Sequence, residues 1–98
     1  MQSDADLDLA RRLIRTHIPV TVADLILFGS RARGDARRWS DIDVAVRPNA
    51  PLPVGLLAET RAALEESNLL LHVDLIDLRD ASPALRQTIE REGIPWND

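Results

Sequence analysis

Two strand-like apolar segments in the first half of the chain flank a glycine-serine turn and an arginine-rich loop. The first segment, residues 25–28, runs into Gly29-Ser30, and the second carries Asp41 and Asp43. Alternate residues of a strand share a face, so these two carboxylates are expected to project together, about 6–7 Å apart. At an effective dielectric constant near 20, charges at that distance repel by about 2–3 kcal/mol. The pair therefore predicts a site for a cation that hard oxygen ligands hold well, Mg²⁺ or Mn²⁺.

The Gly29-Ser30 turn is typical of a phosphate-binding corner. Glycine permits a tight turn from strand to helix, and Ser30 then lies at the helix N-terminus, where free backbone N–H groups attract anions. A plain N-cap is the alternative role for Ser30. Arg31 and Arg33 follow directly and are predicted to contact a triphosphate. Arg37 and Arg38, further along the same loop, are equally well explained as solvated residues.

The composition excludes several classes of function. The chain has no Cys, which excludes disulfides, thiolate nucleophiles and Cys-ligated zinc. Every basic residue is Arg, and a P-loop needs a Lys. The net charge of −4 argues against general nucleic-acid binding. The acidic start has no apolar segment of the signal-peptide type, and no apolar run is long enough to span a membrane. We therefore expect a cytoplasmic protein that binds neither nucleic acid directly nor a membrane.

Periodicity predicts a single α/β (α+β) domain over residues 1–98. The expected architecture is a small mixed sheet of three to four strands flanked by about four helices. Pro19 ends the first helix, Ser82-Pro83 starts the last one, and Trp39 is expected to pack at the edge of the core rather than under a nucleotide. The predicted strands are residues 24–28, 40–47 and 69–78, with a short edge strand at 94–96, and a third helix covers 54–67.

A third carboxylate is expected from the third strand, because two-metal phosphoryl transfer uses one more acidic ligand. Asp74 and Asp77 lie an odd number of residues apart, so they cannot share a face of a regular strand. Asp74 is mid-strand among apolar neighbours, where an unpaired charge is expensive to bury. Asp77 is near the strand end, where its charge is easily satisfied. We therefore assign Asp74 as the third metal ligand, and capping or pairing with Arg is the alternative.

The pattern Gly29-Ser30, ten residues and then Asp41-Ile42-Asp43 resembles the signature of the DNA polymerase β-like nucleotidyltransferase superfamily. The sequences Gly-Ser-Arg-Ala-Arg-Gly-Asp-Ala and Ser-Asp-Ile-Asp around it look like those of the smallest branch, the minimal nucleotidyltransferases (MNT). The resemblance extends over about residues 24–94. It implies the nucleotidyltransferase fold for the whole domain.

The resemblance also implies an activity and a partner. Many MNT proteins are antitoxins that transfer AMP from ATP to a tyrosine of an all-helical HEPN RNase toxin. The implied catalytic and metal-binding residues hold two Mg²⁺ ions; they are Asp41, Asp43 and Asp74. The implied nucleotide-binding residues are Gly29, Ser30, Arg31, Arg33 and Ser40.

Three other interpretations of the sequence remain open. The same chemistry could act on a small hydroxylated molecule such as an aminoglycoside. The protein could instead neutralise a toxin by occlusion, without catalysis. The third possibility is a small α/β domain without a functional site, in which the carboxylates lie near one another by chance. This interpretation needs separate explanations for the repelling pair and for the glycine-serine turn. The sheet, its helices and the site leave no part of the chain for binding an acceptor. This favours an acceptor that is itself a protein and supplies its own binding surface.

Overall fold

The computed structural model describes residues 2–96, and their side chains from residue 5 onward. Helices and strands alternate as the periodicity predicted. In chain order they are α1 (Gln2–His17), β1 (Ala23–Phe28), α2 (Ser30–Arg33), β2 (Ile42–Pro48), α3 (Leu56–Glu65), β3 (Val73–Asp77), a 3₁₀ turn (Leu78–Asp80), α4 (Pro83–Glu92) and β4 (Ile94–Pro95).

The four strands form one mixed sheet in the order β3-β2-β1-β4. Strand β2 is antiparallel to β1 and parallel to β3, and β4 pairs antiparallel with β1. The register places Phe28 opposite Asp43, and Asp43 opposite Asp74. The predicted mixed α/β architecture and the short edge strand are therefore confirmed.

Both faces of the sheet are covered, which explains why β1 and β2 are apolar on both sides. One face packs against α1 and α3 through a core that includes Ile14, Leu25 and Val44. The opposite face packs against α4 in a smaller cluster that includes Ala45 and Ile89. Alternate residues of β2 share a face, so Asp43 lies on the α4 side of the sheet with Ala45.

Two predicted strands begin later in the structure than the sequence predicted. The predicted third strand began at residue 69, but the Leu70 and Leu71 N–H groups donate to the buried carboxylate of Asp6, both at 2.9 Å. The second strand begins at Ile42 instead of Ser40, because Ser40 belongs to the loop before it. Side-chain hydrogen bonds to backbone groups thus replace part of the expected sheet pairing.

The start of α4 agrees with the prediction. Ser82 is the N-cap and its hydroxyl accepts a hydrogen bond from the Leu85 N–H, with Pro83 at the first helical position. The prediction for Trp39 is wrong: its side chain is 65% exposed and stacks with Arg38, 5.2 Å from ring centroid to guanidinium. It lies on a loop that does not reach the core.

Among the helices within residues 2–96, none has both the length and the apolar character needed to cross a membrane.

Candidate active site

The predicted acidic residues lie together at the N-terminal ends of β2 and β3. Asp43 and Asp74 are register partners on adjacent parallel strands, so they lie about 4.8 Å apart along the hydrogen-bonding direction and project from the same face. Asp41 precedes β2 by one residue and is exposed. The Ile42 N–H donates to the His72 carbonyl at 2.9 Å, which fixes the entry of β2 against the chain that leads into β3.

The electrostatics of Asp43 show that these carboxylates interact. Burial and the negative charges of Asp74 and Asp41, in that order, raise the pKa of Asp43 above its ordinary value of 3.8. The positive charge of Arg33 partly opposes this shift. Carboxylates that repel one another in a half-buried site favour the binding of a cation.

The chemistry of these side chains fits a divalent metal ion, although they are not positioned to coordinate one ion together. Carboxylates are the hard oxygen ligands that Mg²⁺ and Mn²⁺ prefer. Within residues 2–96, however, no three His, Cys, Asp or Glu side chains are grouped closely enough to hold a metal ion. Binding of a cation would therefore require the side chains of Asp41, Asp43 and Asp74 to turn toward a common point.

Gly29 forms the corner between β1 and α2 and contacts Asp43 closely. Its backbone has φ 74° and ψ −157°, a region that essentially only glycine occupies. A Cβ atom at this position would overlap the Oδ2 atom of Asp43. Helix α2 begins at Ser30, as predicted, and the N-cap is Gly29, which excludes the plain N-cap role for Ser30. The turn therefore presents backbone directly beside the carboxylate.

Arg31 organises the loop that leads into Asp41. Its guanidinium donates to the Ser40 carbonyl from Nε at 3.1 Å and from Nη2 at 2.8 Å, and it also reaches the Arg37 and Arg38 carbonyls. The Ser40 hydroxyl accepts a hydrogen bond from the Arg37 N–H at 2.8 Å. Arg31 and Ser40 thus hold the loop in shape, and their predicted contacts with a nucleotide stay predictions.

Arg33 lies nearer the carboxylates and forms two ion pairs. Its Nε atom is 3.2 Å from Asp35, and its Nη1 atom is 3.6 Å from Glu92 at the end of α4. Sequence reasoning missed Glu92. The available signal was its place two residues before the predicted edge strand, because a strand that pairs with β1 brings the residues before it toward the glycine turn.

The structure places Asp74 beside Asp43. However, Asp74 was assigned as the third metal ligand because it was expected to be buried and Asp77 was not, and the structure shows the opposite. Asp74 is exposed, whereas Asp77 is buried, with 6% of its surface accessible. Asp77 accepts hydrogen bonds from the Arg79 backbone N–H at 2.9 Å and from the guanidinium at distances down to 2.7 Å. The burial argument was wrong because β3 is an edge strand, whose α4-side face is open at Asp74.

We expect the Asp77→Asn substitution to destabilise the fold by about 1–3 kcal/mol at pH 7, because it removes charge-assisted hydrogen bonds to Arg79. Bonding to Arg79 holds the pKa of Asp77 below its ordinary value of 3.8. A lowered pKa gives stability that is present above the unfolded pKa and lost as the pH falls through the folded one. Urea unfolding at pH 7 and pH 3 tests this: the parent and the variant should differ at pH 7 and converge toward pH 3. An equal difference at both pH values would contradict it.

Residues 10–95 match the family described as "Polymerase beta, Nucleotidyltransferase". The chain belongs to this family. It is 32% identical over 96 residues to the probable protein adenylyltransferase MntA of Haemophilus influenzae, an alignment that covers 93% of this chain and 84% of that protein. It is 38% identical over 85 residues to the protein adenylyltransferase MntA of Shewanella oneidensis, which covers 84% of this chain and 58% of that longer protein.

Solved structures agree with this assignment. A toxin–antitoxin crystal structure with AMP-PNP superimposes with a TM-score of 0.70 at 38% identity, covering 89% of this chain and 69% of that one. The complex of a tri-AMPylated Shewanella oneidensis HEPN toxin with its MNT antitoxin gives a TM-score of 0.69 at 32% identity, covering 100% of this chain and 74% of that one. The resemblance to the polymerase β-like superfamily and its MNT branch is therefore confirmed.

Proposed function

We propose that this protein is a Mg²⁺-dependent adenylyltransferase that transfers AMP from ATP to a tyrosine hydroxyl of a HEPN toxin, and thereby acts as an antitoxin. The observation that carries this proposal is the register of β2 and β3, which sets Asp43 and Asp74 side by side next to the Gly29-Ser30 turn. The relatives named MntA and the AMPylated HEPN toxin complex support the reaction and the partner.

ATP would bind with its triphosphate on the Gly29-Ser30 turn. The turn exposes backbone and carries no side chain at Gly29 that would block a phosphate. Arg33 would donate to phosphate oxygens, because a guanidinium has five N–H donors and its two ion pairs occupy only some of them. Arg31 would act indirectly, by keeping the loop before Asp41 closed.

Asp41, Asp43 and Asp74 would hold the Mg²⁺ ions, and Mn²⁺ suits the same ligands. When bound, the ions would neutralise the carboxylates and phosphates and lower the pKa of the attacking hydroxyl. The tyrosine oxygen bonds to the α-phosphorus, the bond from that phosphorus to the bridging oxygen breaks, and pyrophosphate leaves. The exposed Asp74 would take the hydroxyl proton. Positioning and charge neutralisation would account for most of the rate.

The acceptor would approach from the side of β3. This strand is the edge of the sheet, and Asp74 on it is exposed while Asp43 is half-buried. A protein surface that covers this edge would bring its tyrosine to Asp74 and exclude water from the site. We propose that the chain works in this way as a single domain in the cytoplasm, without direct contact with nucleic acid.

The test is to purify the protein together with the product of the neighbouring gene, the expected HEPN partner, and to incubate them with ATP and Mg²⁺. We expect the intact mass of the partner to rise by one or more AMP groups and its RNase activity to fall. Samples without ATP, or with EDTA, should show neither change. Modification of an aminoglycoside in place of the partner would indicate the small-molecule reaction. A fall in RNase activity with no change in mass would indicate occlusion without catalysis.

A further inference from the structure

Glu92 lies beside the glycine turn, on the side opposite Asp43. The antiparallel pairing of β1 with β4 matches Leu27 with Ile94. Glu92 is the last residue of α4, two residues before Ile94, so the chain enters β4 from the end of β1 at which the Gly29 turn lies. The β2 side of the same turn is occupied by Asp43, which is paired with Phe28. The turn thus has Asp43 against Gly29 on the β2 side, and Glu92 paired with Arg33 on the side of α4 and β4.

The position of Glu92 is unfavourable for a carboxylate. Its Oε2 atom is buried and has no hydrogen-bond partner among the described residues. It also lies in the last turn of α4, where the negative end of the helix dipole disfavours an anion. A buried acceptor left without a hydrogen bond calls for an explanation. Its charge is instead paired with Arg33, whose Nη1 atom lies 3.6 Å from Oε2.

We propose that Glu92 is a positioning residue that holds the Arg33 guanidinium beside the Gly29-Ser30 turn, where it meets the triphosphate. This inference rests on the proposed nucleotide site. Glu92 acts through Arg33, because direct contact between a carboxylate and a triphosphate is repulsive. The Arg33 backbone N–H donates to the Gly29 carbonyl at 3.0 Å, which ties Arg33 to the same turn.

Asp35 also pairs with Arg33 but is poorly placed for this role. Its side chain is 62% exposed and lies on the loop after α2, whereas that of Glu92 is 27% exposed and is anchored by α4 and β4. An ion pair between exposed groups holds a side chain only weakly. A partner fixed to the sheet can instead keep the guanidinium at one place. Asp35 therefore provides a matched control.

The experiment measures the dissociation constant for AMP-PNP with Mg²⁺ by calorimetry, so that the readout does not depend on transfer. We expect Glu92→Gln to weaken binding by about 5- to 10-fold and Asp35→Asn by less than about twofold. Glu92→Asp, which keeps the charge on a shorter side chain, should lie between the parent and Glu92→Gln. In the transfer reaction, Glu92→Gln should raise KM for ATP and leave kcat nearly unchanged.

A double-mutant cycle separates positioning from a general structural effect. In an Arg33→Gln background, Glu92→Gln should have no further effect on AMP-PNP binding, because the guanidinium through which Glu92 acts has been removed. Equal effects in both backgrounds, or unchanged or tighter binding in the single variant, would overturn the inference. Parent protein that binds AMP-PNP and shows this pattern but modifies no partner would contradict the proposed function alone. Transfer by the parent with no effect of Glu92→Gln would contradict this inference alone.

Discussion

Replacing Asp43 with Asn is expected to reduce AMP transfer by about a thousandfold or more. Asn keeps the shape of the side chain but removes the charge that would hold Mg²⁺ between β2 and β3. Asp43 is the central member of the acidic group, next to Asp74 across the strands and two residues from Asp41. Loss of Asp41 should have a similar effect, because one carboxylate fewer leaves the ion poorly fixed. Labelled-ATP transfer at saturating Mg²⁺ measures both variants.

The matched control is Asp24→Asn. Asp24 is an aspartate at the far end of the neighbouring strand β1, and it forms an exposed ion pair with Arg47 at 3.0 Å. An exposed pair contributes little to stability, so this variant should fold normally and transfer AMP within about twofold of the parent. If Asp43→Asn transfers AMP as well as Asp24→Asn does, the proposed mechanism is wrong.

The same Asp43→Asn variant should be more stable than the parent when Mg²⁺ and nucleotide are absent. The pKa of Asp43 is raised in the folded protein, by burial first and then by Asp74 and Asp41. A raised carboxyl pKa means that stability is full at low pH and declines as the pH rises through the folded pKa. At pH 7 the Asn variant should therefore melt a few degrees higher, and the difference should disappear near pH 3. Added Mg²⁺ and ATP should stabilise the parent only.

The sequence predicted most of the fold because its local signals agree with one another. The Ser82-Pro83 start of α4 and the apolar run before Gly29 each have one simple structural solution. The predictions that failed depend on long-range contacts. The carboxylate of Asp6 bonds to Leu70 and Leu71, more than sixty residues away in the chain, and shortens β3 at its start. No periodicity encodes such a contact.

The sequence predicts the acidic residues of the candidate site but not their environment. Strand alternation predicts that Asp41 and Asp43 share a face, and the MNT resemblance points to Asp74. In the structure the register sets Asp43 beside Asp74, while Asp41 lies one residue before β2. Burial depends on which strand is at the edge of the sheet, and the order β3-β2-β1-β4 left Asp74 open while burying Asp77. Glu92 was missed for a related reason, because only the pairing of β4 with β1 brings it to the glycine turn.

The Gly29→Ala substitution should cost both stability and activity. A backbone with φ 74° and ψ −157° costs a residue with a side chain about 1–3 kcal/mol, and here the added Cβ also overlaps the Asp43 carboxylate. We expect a total loss near 3 kcal/mol, which would lower the melting temperature by about 10–20 °C. Displacement of Asp43 should also reduce transfer by about a hundredfold in the protein that remains folded. Thermal melts and transfer assays well below the melting temperature measure the two effects separately.

Gly55→Ala separates the backbone effect from the overlap with Asp43. Gly55 also has a positive φ, 84°, but lies in the left-handed helical region before α3, where an added Cβ meets nothing within 4 Å. Its replacement should cost only about 1–2 kcal/mol and leave transfer unchanged. The additional loss in the free energy of unfolding of Gly29→Ala then gives the contribution of the overlap with the Asp43 carboxylate. Equal losses in the two variants, with transfer intact in both, would show that Asp43 does not depend on the absence of a side chain at Gly29.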